Sequence, residues 1–290
     1  MWAVGLMTGT VLDGNIDAAL LRTDGETIAE FGPYELLPYP ADTNALLAEA
    51  LATAQDWGFA GPRPAAFDAA SRALTRAQTD AVRQLVDRAG LKMAEIAAIG
   101  FHGQTVLHRA PQPGLLGQTC QLGDGEWMAE QLGVPVVYDF RSEDMRQGGQ
   151  GAPLAAIYHA ALLKERGYGG ETAVLNLGGV GNLSWTDGNT LIAFDTGPAN
   201  APINDFMGAT LGPPMDRGGM LAAAGKADER QLAELSRHAY FTKPYPKSLD
   251  RNSFTAAMAD GKTAEDGAAL LTAFAAMAVG RALDLLPTRP

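Results

Sequence analysis

The sequence is poor in several features that narrow the class of protein. Cys120 is the only cysteine in 290 residues, which excludes an internal disulfide and a cysteine-based metal cage. The net charge of −11 argues against nucleic acid or an anionic membrane surface as a partner. The most apolar late run, 268–279, is too short to span a bilayer and predicts a buried core helix. The first ten residues contain neither a basic segment nor a long apolar one, so we expect no signal peptide and a cytoplasmic protein.

What the sequence has instead is one strand-and-turn pattern in two places. The order is strand, glycine-containing loop, strand, Asp-Gly turn and strand, with the turns at Asp24-Gly25 and Asp187-Gly188. Such internal similarity predicts two lobes built on one plan. The alternative is that glycine loops and Asp-Gly turns are simply common in β meanders. The predicted strands are 2–7, 16–22 and 27–31, then 172–177, 182–186 and 190–194.

Helices are predicted between and after these strands. An apolar stripe predicts a helix over 65–88 that stops at Gly90, and Pro153 and Gly167 bound a second helix over 154–166. Thr263 begins a sequence that resembles a capping box, ahead of a last apolar helix at 270–286. Strands and helices in two similar halves predict an α/β protein with a ligand cleft between two lobes.

Four polar, glycine-rich segments are the candidates for chemistry. Each follows or interrupts a predicted strand, which is the usual position of a binding loop on a rigid scaffold. Glycine lets backbone N–H groups approach an anion closely, and Thr8 and Thr10 add hydroxyl donors. Two such loops facing each other would clamp a polyphosphate. The segments are 8–15, 101–105, 139–154 and 177–205.

Three carboxylates in these segments have two interpretations each. Asp195 follows an apolar strand, where it could act as a general base or could shape the turn that begins near Pro198. For Asp13 and Asp17, one could orient magnesium-bound water, or both could simply shape a turn. The residues alone leave these alternatives open.

The polar segments resemble a known family. The chain contains, in order, “GLMTGTVLDG”, “HGQT”, “DFRSEDMRQGGQGAPL”, “LNLGGVGN”, “FDTGPAN”, “MDRGG” and “PKSLDR”, which follow the motif set of the anhydro-N-acetylmuramic acid kinase family. The resemblance runs from residue 5 to residue 251. It implies a two-lobed actin-like ATPase fold of the sugar kinase, Hsp70 and actin superfamily. The first lobe would be 1–138, with the phosphate loop, and the second 139–290, with the catalytic aspartate and a second phosphate loop.

The resemblance also implies an activity and a set of site residues. The enzyme would use ATP and Mg²⁺ to open the internal bond of 1,6-anhydro-N-acetylmuramic acid and phosphorylate O6, a step of peptidoglycan recycling. Asp195 would activate water as the base, and no protein metal ligand is assigned. The sugar would contact His102, Gln104, Thr105 and Arg141. The ATP phosphates would lie on Gly9, Thr10, Val11, Leu12, Asp13, Gly14 and Asn15, and on Gly178 and Gly179.

The sequence departs from the family pattern in its first loop and at its end. Val11 replaces a hydroxyl residue, Asn15 resembles an insertion, and the chain stops at “LPTRP” where the family continues with a Gly-Gly-Gly-containing segment. We therefore expect the C-terminal part of the fold to be missing. This makes a non-catalytic sugar-binding or regulatory relative the alternative to the kinase. A glycoside hydrolase ranks last. Such an enzyme needs two carboxylates that flank the bond, and only Asp195 is a clear candidate.

The expected partners follow from the same interpretation. We expect a small anhydro amino sugar and ATP, and neither nucleic acid nor a membrane. A homodimer is compatible with the sequence.

Overall fold

The computed structural model describes residues 1–8, 14–212 and 215–290. The chain is a mixed α/β protein that divides into two compact units, Met1–Gly151 and Ala152–Pro290. The first unit therefore extends beyond residue 138, the predicted end of the first lobe. The reason is packing, because Arg141 bonds to His102 and Met145 is buried beside Gly117 in the first unit.

The first unit is built on a five-stranded sheet with strand order β3-β2-β1-β4-β7. The first three strands form an antiparallel meander, and β4 and β7 add to it in parallel. Strands β5 and β6 form a separate hairpin. The elements are β1 (Trp2–Met7), β2 (Asn15–Thr23), β3 (Ile28–Pro38), α1 (Ala41–Trp57), α2 (Ala66–Arg88), β4 (Ile96–Phe101), β5 (Gln104–Arg109), β6 (Gln118–Leu122), α3 (Gly125–Leu132), β7 (Val136–Tyr138) and α4 (Ser142–Arg146).

The core of the first unit lies where the sheet meets α1 and α2. Alternate residues in the first part of β2, Ile16, Ala18 and Leu20, are buried, as the two-residue period of a strand requires when one face is covered. The predicted helix over 65–88 is confirmed as α2, and its predicted stripe, which includes Phe67, Leu74 and Leu85, is fully buried. Gly90 ends it with φ +69, a left-handed conformation that glycine adopts without a steric penalty.

The second unit contains a three-stranded antiparallel sheet with strand order β10-β9-β8. Helix α9 packs on this sheet, where Ala282 joins Phe194, Leu183 and Trp185 in one buried cluster. The elements are α5 (Ala156–Glu165), β8 (Ala173–Leu177), β9 (Val180–Thr186), β10 (Leu191–Pro198), α6 (Asn200–Leu211), α7 (Met220–Ala224), α8 (Glu229–Leu235) and α9 (Ala264–Leu283).

Both units contain the predicted three-stranded meander, and their Asp-Gly turns have the same hydrogen bonds. Gly25 and Gly188 have φ +102 and +92. In each turn the carboxylate of the preceding aspartate, Asp24 or Asp187, accepts the backbone N–H groups two and three residues later. The threonine before each aspartate accepts the glycine N–H, at 2.9 Å in the first turn and 3.0 Å in the second. Two three-stranded meanders thus share one turn structure.

Two predicted strand ends are wrong. The structure continues β3 to Pro38 and β10 to Pro198, whereas both were predicted to stop at a phenylalanine. Strand β3 continues through Gly32 and Pro33 because it is an edge strand, and an edge strand tolerates a proline that lacks an N–H. Asp195 therefore lies inside β10 rather than at its tip, next to an irregularity in the pairing with β9.

The last helix begins earlier than its apolar run. Thr263 accepts the N–H of Asp266 and caps α9 at its first turn, as its sequence predicts. Among the described residues, α9 is long and apolar enough to cross a membrane by length and composition. Core helices share this property, and Leu270, Leu271 and Phe274 are buried within the second unit, as expected for residues 268–279.

Candidate functional site

The ends of the predicted phosphate loop are held by one tyrosine. The hydroxyl groups of Thr8 and Tyr39 lie 2.6 Å apart, and the Tyr39 N–H donates to the Gly14 carbonyl at 2.8 Å. Gln78 Nε2 donates to Thr8 Oγ1, also at 2.6 Å. Gly14 has φ +83, which favours glycine. Five predicted loop residues lie outside the described residues: Gly9, Thr10, Val11, Leu12 and Asp13.

Asn15, the last residue of the predicted loop, and Asp17 belong to the sheet. Asn15 is the first residue of β2 and pairs with Pro38. Asp17 accepts a hydrogen bond from the Tyr34 hydroxyl at 2.8 Å, which ties β2 to β3. This bond favours the structural interpretation of Asp17, while contact between Asn15 and a nucleotide stays a prediction.

The second glycine loop is a tight connection between β8 and β9. The carbonyl groups of Gly178 and Gly179 accept backbone N–H groups at the start of α6, from Asn200 at 2.9 Å and Ala201 at 3.1 Å. In a trans peptide the N–H points opposite to the carbonyl, so the N–H of Gly179 faces away from α6. An N–H directed outward from a glycine turn can bind an anion.

The structure brings together two of the predicted sugar-binding residues. Arg141 Nη2 lies 2.9 Å from His102 Nε2, and Arg141 Nη1 donates to the carbonyl of Gly151. His102 Nδ1 lies 2.8 Å from the carbonyl of Gly103, so we assign the ring proton to Nδ1 and the acceptor role to Nε2. Burial and the neighbouring Arg141 charge lower the pKa of His102 to about 4. His102 is therefore neutral at physiological pH and orients the guanidinium.

The other two predicted residues lie on β5. Gln104 is completely buried, and its Nε2 donates to the Thr105 carbonyl at 3.1 Å. Among the described residues, Gln104 Oε1 has no hydrogen-bond partner. Thr105 Oγ1 accepts a hydrogen bond from Gln121 at 3.3 Å. A buried amide oxygen without a partner is costly, so Gln104 is the better candidate of the two for a ligand contact.

Asp195 is buried, with 7% of its surface exposed. Its carboxylate Oδ2 accepts the N–H of Leu249 at 2.8 Å, and its own backbone carbonyl accepts the Tyr240 hydroxyl at 2.6 Å. Both groups of Asp195 are thus fixed by a segment more than forty residues later in the chain. A fixed carboxylate in a low-dielectric position can serve as a general base.

Sequence reasoning missed two residues beside Asp195. Lys247 is buried, and its Nζ donates to the carbonyl of Tyr240 at 3.0 Å. Tyr240 is also buried and reaches Asp195 through its hydroxyl. The only signal for Lys247 was its place in the “PKSLDR” motif, to which no role had been assigned.

The described residues offer no protein cage for a metal ion. Among 1–8, 14–212 and 215–290, no three His, Cys, Asp or Glu side chains are grouped closely enough to hold one. Magnesium that is bound with a nucleotide takes most ligands from phosphate and water and needs only one or two carboxylates.

Comparison with known proteins identifies the family. The family described as anhydro-N-acetylmuramic acid kinase matches residues 1–285. The chain belongs to this family. Relatives named anhydro-N-acetylmuramic acid kinase are 65% identical in Mesorhizobium japonicum and 64% identical in Brucella anthropi. Each comparison covers 100% of this chain and 78% of the relative. Family membership confirms the resemblance drawn from the motifs.

More distant comparisons add less. A relative in Jannaschia sp., named anhydro-N-acetylmuramic acid kinase 2, is 60% identical over 100% of this chain and 77% of its own length. A solved reductive activator for a corrinoid, iron-sulfur protein aligns with TM-score 0.36 and 10% identity, over 72% of this chain and 32% of its own. That similarity is too low to support a conclusion about the fold.

Proposed function

We propose that this protein is an ATP-dependent anhydro-N-acetylmuramic acid kinase. Its substrates are 1,6-anhydro-N-acetylmuramic acid, water and ATP, and its products are N-acetylmuramic acid 6-phosphate and ADP. The observation that carries the proposal is membership of the kinase family over residues 1–285, together with a buried aspartate in the “FDTG” motif. Family membership and the presence of this aspartate favour the kinase over a non-catalytic sugar-binding relative.

The proposed reaction couples two bond changes through one oxygen. O6 of the substrate is locked in the anhydro bridge and carries no proton, so a base cannot activate it directly. Asp195 takes a proton from water while the water oxygen bonds to C1. The C1–O6 bond breaks, O6 bonds to the γ-phosphorus, and the bond from that phosphorus to ADP breaks. Mg²⁺ bound with ATP would supply positive charge at the phosphates.

Arg141 and His102 suit the carboxylate of the substrate's lactyl group. A guanidinium presents N–H donors in a planar fork that matches a carboxylate. The bonds to His102 and to the Gly151 carbonyl hold that fork in one orientation. The Gly151 N–H in turn donates to Asp144 at 2.6 Å, so both sides of this glycine are fixed.

The loops at 9–15 and 178–179 are the proposed phosphate contacts. Support comes from the positive φ of Gly14, the Gly179 N–H that faces away from α6, and the anchoring of Thr8 and Gly14 by Tyr39. The repeated meander supports assigning the two units to the lobes of the actin-like superfamily. We infer a cytoplasmic enzyme, in accord with its single cysteine.

The test is the fate of oxygen in labelled water. With ¹⁸O-water, ATP and the anhydro sugar, the reaction should place label on C1 of the product and none in the new phosphate ester. Asp195→Asn keeps the shape of the side chain but removes the base, so kcat should fall about 10²-fold or more while sugar binding survives. Label in the phosphate, or near-normal turnover of Asp195→Asn, would overturn the proposal.

A further inference from the structure

The segment from Tyr240 to Leu249 holds Asp195 at three points. The Asp195 N–H donates to the Lys247 carbonyl at 3.1 Å, and the Asp195 carbonyl accepts the Tyr240 hydroxyl at 2.6 Å. The carboxylate accepts the Leu249 N–H at 2.8 Å. The backbone and the side chain of Asp195 are therefore both fixed by one segment, which lies outside the sheet that carries Asp195.

Lys247 places a buried cation in the same cluster. Only 1% of its surface is exposed, and its Nζ lies 4.5 Å from the ring centre of Tyr240 and 5.5 Å from that of Phe194. None of the ion pairs among the described residues includes Lys247. A carbonyl and two aromatic faces compensate part of the cost of burying this charge.

We propose that Lys247 and Tyr240 are positioning residues for Asp195. The buried ammonium favours the ionised carboxylate that a general base needs, and the Tyr240 hydroxyl fixes the backbone from which that carboxylate projects. Lys247 links the two, because its ammonium binds the Tyr240 carbonyl and its own carbonyl binds the Asp195 N–H. This inference rests on the proposed role of Asp195 as the base.

The charges around the cluster agree with this assignment. Burial and the charge of Lys243 lower the pKa of Lys247 to about 8, while Asp195 acts to raise it. Lys247 is thus mostly protonated at pH 7, and the same attraction favours the charged form of Asp195. Burial, and then the charge of Asp195, raise the pKa of Tyr240, so its hydroxyl keeps the proton that it donates.

The decisive variant is Lys247→Met, which removes the charge and keeps most of the volume. Without the nearby cation the Asp195 carboxylate is protonated more easily, so the acid limb of kcat should move to higher pH by about one unit. At pH values well below the wild-type midpoint of the acid limb, kcat should fall about tenfold, since one pKa unit corresponds to a factor of ten there, with KM for both substrates within about twofold of wild type. Lys164→Met, an exposed lysine of the same unit, is the matched control and should leave the profile unchanged.

Two further variants keep the test decisive if Lys247→Met does not fold. Lys247→Arg retains the charge and should keep the acid limb at its wild-type position. Tyr240→Phe loses only the hydroxyl, and kcat should fall about three- to tenfold at constant KM, the size of one hydrogen bond. Tyr168→Phe, at an exposed tyrosine, controls for loss of a hydroxyl.

The outcomes separate this inference from the proposed function. Near-normal turnover by Asp195→Asn would overturn the role of Asp195 itself. If Asp195→Asn is inactive but folded Lys247→Met or Tyr240→Phe shows wild-type kcat and acid limb, the positioning role is wrong. A change in melting temperature alone, with turnover per folded molecule unchanged, would also overturn it, since that is what a purely structural role predicts.

Discussion

Strands β3 and β10 begin from the same turn and end in different chemistry. Counted from the turn glycine, Phe31-Gly32 of the first unit occupies the position of Phe194-Asp195 in the second. Both strands pair antiparallel with the middle strand of their meander. The position that carries the buried carboxylate in the second unit is therefore filled by glycine in the first. The two meanders have equivalent positions for this residue, and only the second unit has a carboxylate there.

The two strands differ because different elements pack on them. Phe31 is 46% exposed on edge strand β3, whereas Phe194 is completely buried under α9 and the segment that includes Tyr245. Gly197, with φ +152, lies so close to α9 that a Cβ there would come within 2.7 Å of Ala278 Cβ. The turn sets the register of both strands, and the elements packed on top decide which strand holds a desolvated carboxylate.

The largest expected difference is in the stability lost when each of the two equivalent phenylalanines is replaced by alanine. Phe194→Ala should lower the free energy of unfolding by about 3–5 kcal/mol, because it opens a cavity in a closed cluster. Phe31→Ala, at the equivalent exposed position, should cost less than about 1 kcal/mol. Urea denaturation of the two variants measures both. Equal losses would show that the cover of β10 does not distinguish the strands.

A second prediction concerns a titratable group of the first unit and the pH dependence of stability that it causes. The first unit holds a partly buried neutral histidine, His102, whose pKa falls from 6.5 to about 4 on folding. Between these two pH values the unfolded chain binds more protons than the folded chain. The stability that His102 contributes is therefore fully present above pH 6.5 and is lost as the pH falls toward 4. Between pH 8 and pH 5 the protein should lose about 2 kcal/mol of stability through this group.

His102→Gln is the control for that prediction, because it cannot be protonated. Its own loss between pH 8 and pH 5 should be smaller than that of the wild type by the stated amount, as measured by urea denaturation at each pH. The same loss in both proteins would mean that His102 does not titrate on unfolding as the structure indicates.

Local features of this fold were predictable from sequence, and long-range ones were not. The stop of α2 at Gly90, the cap of α9 at Thr263 and both Asp-Gly turns depend on residues a few positions apart. The surroundings of Asp195 depend on Tyr240 and on residues beyond it, which are neighbours only after folding. For this reason the sequence indicated the candidate base but gave no role to Lys247.

The errors at strand ends have the same origin. Gly32-Pro33 is a strong local signal for a turn, but its consequence depends on whether the strand lies at an edge or in the centre of a sheet. Strand order is a property of the whole first unit. The pairing of His102 with Arg141 was likewise not predicted, although both residues were named, because they are 39 positions apart.

The smallest expected effect tests whether the two turns are equivalent. Gly25 and Gly188 both have positive φ, and a Cβ added at either would meet no atom within 4 Å. Replacing each by alanine should therefore cost only backbone strain, about 1–2 kcal/mol, and about the same in both units. Urea denaturation of Gly25→Ala and Gly188→Ala measures the two costs, and turnover should stay at the wild-type level because neither residue belongs to the candidate site. A cost in one turn that exceeds the other by more than about 0.5 kcal/mol, the usual limit of additivity, would show that identical hydrogen bonds conceal different strain.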